Sequence, residues 1–333
     1  MPLRLFALLL TLAAPAAAQT PTPAASASGG STVERGLAMP SAALGQPVRY
    51  SVYLPAGYAQ SGLRYPVVYL LHGFGGDELS FFDSGDLQDV ADRLTAEGDL
   101  PPAIIVTPSA KKGWYVDNAE TGRWETALLD DLVDGVDDRY RTLARREGRA
   151  VAGYSMGGYG ALRFALLEPE RFVAAGSLSG ALFPDVKAAT DFPAFQLAFF
   201  GRAFGATFDP KAFNAASPWR MLADDAADAP ALYMSVGDRD IGILAQGNAA
   251  FEKALAAARI PVTYSVAAGG HDWALWGSQL PPMLEFLGKR LAKPVPASAP
   301  DEPERSAAVP RKDALGPATP TVPKLGIQTA PAR

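Results

Sequence analysis

The chain reads as an α/β protein built on a mostly parallel central sheet flanked by helices, and three observations lead there. Short runs of apolar β-formers such as PVVYLL, Pro66 to Leu71, alternate with stretches whose apolar residues recur at helical spacing. The 333 residues are 48% hydrophobic, enough for a sizeable core in one large domain. At Arg149 to Ala161 a short apolar strand, a glycine-flanked turn holding Ser155 and the first turn of a helix follow one another directly.

Taken in order, residues 1–18 carry Arg4, an apolar run from Leu5 to Ala14 and the small residues Ala16, Ala17 and Ala18. That is the pattern of a cleavable secretory signal peptide, and it implies a periplasmic or secreted protein. Its apolar run is too short to span a bilayer and no later one is long enough, so no stable membrane insertion is expected. Arg4 has no arginine neighbour, which disfavours a twin-arginine signal. Residues 19–30, rich in Ala, Pro, Ser, Thr and Gly, read as a flexible leader. A folded domain is expected over 31–292, and a disordered Pro/Ala-rich tail over 293–333. The net charge is −5 with no basic patch or helix, which argues against a nucleic-acid partner. The chain has no cysteine, so disulfides, lipoprotein attachment and thiolate metal sites are excluded.

Within the domain, Val48 to Leu54 alternates apolar and polar side chains, as a half-exposed strand near a sheet edge would. Pro66 to Leu71 is apolar throughout, as in a strand buried on both faces, and Ala103 to Thr107 reads the same way. Leu87, Val90, Ala91 and Leu94 mark a helix between them, and Leu128 to Tyr140 carries another apolar stripe. After the Ser155 helix, strands are expected at Phe172 to Leu178, Ala231 to Val236 and Val262 to Val266, with a helix over Gln246 to Ala258. The last helix has Ser278 as expected N-cap, which puts Pro281 and Pro282 in its first turn. Between Leu182 and Asp228 lies an irregular, aromatic-rich insertion that could cap a site, form a satellite core, or do both.

The chemistry centres on Gly153-Tyr154-Ser155-Met156-Gly157. A strand turning straight into a helix brings two backbones together, so the flanking positions suit glycine, and the serine is pushed out in a strained conformation. The N–H of Met156, at the start of the helix, is aimed where a negatively charged oxygen would form. The glycine-rich loop His72 to Gly76 leaves the end of a central strand, where open sheets place their ligands, and Phe74 is the candidate for a second such N–H. Trp114, Tyr115 and Trp124 are candidate substrate-binding residues, with ordinary loop packing as the alternative.

A serine hydroxyl needs a base near neutral pH, and the chain offers only two histidines. His72 precedes the serine and belongs to the glycine-rich loop, which it shapes or holds. His271 follows the last strand, and the chain order serine, acid, histidine selects it as the base. The acid should leave the strand before, where Asp238 and Asp240 both qualify on position and spacing does not separate them.

These motifs, LLHGFGG at Leu70 to Gly76, GWYVD at Gly113 to Asp117, AGYSMGGYGAL at Ala152 to Leu162, VGDRD and GGHDW, resemble the esterase D and feruloyl esterase branch of the α/β-hydrolases. That branch also holds S-formylglutathione hydrolases and antigen 85-type mycolyltransferases. The resemblance covers Gln46 to Leu291 and implies an α/β-hydrolase fold with the aromatic insertion over the active site. It implies a Ser155, His271 and Asp240 triad, and oxyanion donors at Phe74 and Met156. It further implies a serine carboxylic ester hydrolase needing no metal or organic cofactor, acting on feruloyl or acetyl esters of carbohydrate. The alternatives are acyl transfer to a sugar or lipid alcohol, and a non-catalytic binding protein on a hydrolase scaffold. A binder would ordinarily lack one of the three residues, and all three are present.

Overall fold

The computed structural model describes residues 29–222 and 228–298. The expected signal peptide, most of the leader and residues 299–333 of the tail lie outside the described residues.

Eight strands form one sheet: β1 (Thr32–Met39), β2 (Val48–Leu54), β3 (Val67–Leu71), β4 (Ile104–Pro108), β5 (Arg149–Tyr154), β6 (Ala174–Leu178), β7 (Ala231–Gly237) and β8 (Val262–Ala267). Their order across the sheet is β1-β2-β4-β3-β5-β6-β7-β8. The two pairings made by β2 are antiparallel, and all those from β4 across to β8 are parallel. The principal helices are α1 (Leu87–Glu97), α2 (Val133–Arg139), α3 (Met156–Leu167), α4 (Ala194–Phe200), α5 (Pro210–Ala216), α6 (Gly242–Ala257) and α7 (Trp273–Gly288).

The two-residue period of a strand divides the core. Val67, Tyr69 and Leu71 of β3 pack on one face with α3, α6 and the segment leading into α2, whereas Val68 and Leu70 pack on the other with α1 and α7. Because both faces are covered, β3 to β6 are almost wholly buried, which is why their sequences are apolar without alternation.

Three expectations are corrected here. The strand Val48–Leu54 lies one place in from the sheet edge, as expected, but it is not half-exposed: every residue except Arg49 is buried. β1 takes the edge beside it, and its sequence shows no strand period because Gly36, at φ +65, breaks it where the pairing register shifts between Glu34 and Leu37. The last helix, α7, starts at Trp273, so Ser278 lies inside it and is not its cap. Asp272 caps it instead, its carboxylate accepting from the Leu275 N–H at 3.1 Å. Pro281 and Pro282 therefore sit within α7 and not in its first turn, and each removes one backbone donor. Finally, the expected tail does not leave the body at residue 293. Val295 and Pro296 pair antiparallel with Arg64 and Leu63, and the Ala297 N–H reaches the Gly62 carbonyl at 3.0 Å.

Candidate active site

Ser155 stands between β5 and α3 at φ 54, ψ −117, a conformation that few residues other than glycine adopt. The glycines around it are required by contact. A Cβ at Gly157 would overlap the Leu71 carbonyl oxygen, and one at Gly153 would meet the backbone of Gly157. The serine backbone is held from β6 and the turn that follows it: its N–H donates to the Leu178 carbonyl at 2.8 Å, and its carbonyl accepts from the Ala181 N–H at 3.0 Å.

His271 arrives on the loop after β8. Its Nε2 lies 2.9 Å from Ser155 Oγ, and its Nδ1 lies 2.8 Å from Asp240 Oδ1. A carboxylate only accepts, so Nδ1 carries the proton and Nε2 presents its lone pair to the serine hydroxyl. The ring is flanked edge-on by Trp276, with centroids 4.9 Å apart. Asp240 comes from the turn after β7, its side chain fully buried. Burial raises a carboxyl pKa, but the bonds from His271 and from Ser179 outweigh it and hold Asp240 below the usual carboxylate range. Of the two acids that spacing left open, Asp240 is the one on the histidine. Asp238 instead accepts from the Gly269 N–H at 2.9 Å.

The glycine-rich loop is braced from three sides. His72 is fully buried, with Nδ1 2.7 Å from the Gly73 carbonyl and Nε2 accepting from the Ala110 N–H at 3.0 Å. Burial pushes its pKa down, so it stays neutral. The Tyr115 hydroxyl donates to the His72 carbonyl at 2.8 Å. Phe74 carries its ring against Phe199 of α4, 5.2 Å between centroids. Met156 is the first residue of α3, where a backbone N–H has no acceptor within its own helix.

Trp114, Tyr115 and Trp124 are not open cleft walls, and of the two readings their burial fits ordinary loop packing. They are 3%, 0% and 2% exposed, and their polar atoms are bound to the carbonyls of Phe199, His72 and Thr121. Trp114 packs on Tyr159, Phe200 and Phe204. The insertion is thus largely aromatic core, continuous with the sheet face that carries Tyr69 and Leu71 and not a separate satellite, in which Phe183, Phe192, Phe200 and Phe213 pack on one another. Among the described side chains of the insertion, Phe199, packed on Phe74, is 48% exposed. Ser179 and Trp276 also touch the site, through contacts that no sequence spacing announces.

Among the described residues, no group of three or more His, Cys, Asp or Glu could hold a metal ion, and no helix is long and apolar enough to cross a membrane.

This sheet order, with a serine on a strained strand-to-helix turn and an acid and a histidine delivered after β7 and β8, defines an α/β-hydrolase. The Esterase family model, described as putative esterase, matches residues 41–287, and the chain belongs to that family. An esterase of Mycobacterium tuberculosis strain CDC 1551 is 38% identical over 143 residues, 41% of this chain and 30% of that protein. The chain thus aligns with under a third of that relative's length. An acetyl esterase of Caldicellulosiruptor saccharolyticus is 26% identical over 67% of this chain and 83% of its own. Among solved structures, a ferulic acid esterase superposes with a TM-score of 0.68 at 29% identity, covering 79% of this chain and all of that one.

Proposed function

We propose that this chain is an exported serine carboxylic ester hydrolase, with Ser155, His271 and Asp240 as its catalytic triad. The observation that carries the reading is the unbroken relay from Asp240 through His271 to Ser155, at 2.8 and 2.9 Å. Ser155 attacks the ester carbonyl while His271 takes its proton, and Asp240 stabilises the imidazolium that forms. The negative oxygen of the tetrahedral intermediate is received by the N–H groups of Phe74 and Met156. His271 then protonates the departing alcohol, and water, activated by the same base, releases the acid from the acyl-enzyme.

Feruloyl or acetyl esters of carbohydrate are the proposed substrates, supported by the likeness to a ferulic acid esterase and an acetyl esterase. Export rests on the pattern of residues 1–18. The test is hydrolysis of a panel of p-nitrophenyl esters and methyl ferulate, with Ser155→Ala alongside. Serine-dependent release is expected. No release by folded wild-type protein would overturn the reading.

A further inference from the structure

Resting on that reading, we propose that Ser179 is a positioning residue: its hydroxyl fixes the plane of the Asp240 carboxylate, and its turn ties that carboxylate to the backbone of Ser155. Ser179 follows β6, is wholly buried, and donates from Oγ to Asp240 Oδ2 at 2.6 Å. The other oxygen, Oδ1, accepts from His271 Nδ1 and, at 2.7 Å, from the Ile241 N–H. With both oxygens held, any rotation that swings Oδ1 off the imidazole must break the serine bond.

The backbone supports the same conclusion. Ser179 sits at φ +50, in the left-handed region that glycine occupies without penalty. What serine offers there and glycine lacks is the hydroxyl, which is the group bonded to Asp240. The turn itself is anchored at the two ends of the relay, Ser155 and Asp240. Leu178 and Ala181 bond the backbone of Ser155, and the Ser179 N–H donates to the Ser235 carbonyl on β7, the strand leading to Asp240. The Gly180 carbonyl accepts from Asn248 of α6 at 2.8 Å.

The test uses the full chain as wild type, Ser179→Ala, Ser179→Gly and Ser155→Ala. It reads p-nitrophenyl acetate kinetics and the downfield proton resonance of His271 Nδ1–H. Both Ser179 variants should lose about tenfold in kcat, the worth of one ordinary hydrogen bond, with KM unchanged. In both, the His271 resonance should shift or vanish. Glycine suits φ +50, so Ser179→Gly should fold even where alanine does not. Full kcat in Ser179→Gly, or an unmoved resonance, would overturn the proposal by leaving the serine a backbone role only. Inactive wild type, or a fully active Ser155→Ala, would instead sink the esterase reading, and the resonance would still decide whether Ser179 orients Asp240.

Discussion

The carboxylate of Asp238 accepts from the backbone N–H of Gly269 at 2.9 Å, so it secures the loop that carries His271 and leaves the imidazole to another acid. Asp240→Asn should therefore cost about 10⁴-fold in kcat, since an amide no longer enforces the tautomer that frees Nε2. Asp238→Asn keeps an oxygen for Gly269 and should cost little. Steady-state kinetics of the two variants check this, and the reverse ranking would contradict the assignment.

His72 should make stability fall in mild acid. Burial keeps it neutral in the folded chain, whereas the unfolded chain takes up a proton as the pH drops past about 6.5. The unfolded state then binds more protons, so stability is full above that pH and declines below it, by up to about 1.4 kcal/mol per pH unit. His72→Gln keeps an acceptor for Ala110 without titrating. Denaturant unfolding from pH 7 to 5 should show a shallower decline for the variant.

Gly157→Ala places a methyl against the Leu71 carbonyl, a backbone atom with no side-chain freedom to yield. The expected cost is about 3 kcal/mol, the upper end for overpacking, with loss of activity as Ser155 shifts. Unfolding and activity measured together check it.

Trp114→Ala should act on stability. The ring is buried among Tyr159, Phe200 and Phe204, so its removal should cost about 3–5 kcal/mol in denaturant unfolding. A change in KM without a change in stability would return Trp114 to the substrate cleft.

The central strands are legible in the sequence because burial on both faces leaves β3 to β6 little room for polar residues. Ser155 and His271 are legible because their glycines mark backbone crowding and the chain holds just two histidines. β1 is hidden by its bulge at Gly36, and the start of α7 by a capping acid adjacent to His271. Ser179 is illegible since its partner lies 61 residues away and a short polar side chain at a strand end has no periodicity. Trp114 and Tyr115 are ambiguous for the same reason: their acceptors, on Phe199 and His72, are set by tertiary packing.

The most direct test of the central claim is intact-mass and peptide analysis after reaction with a fluorophosphonate, which phosphonylates an activated serine and releases fluoride. One adduct on Ser155, absent in Ser155→Ala and strongly slowed in His271→Ala, is the predicted result. A folded protein that takes no adduct, or takes it on another residue, would contradict the assignment of Ser155 as the nucleophile.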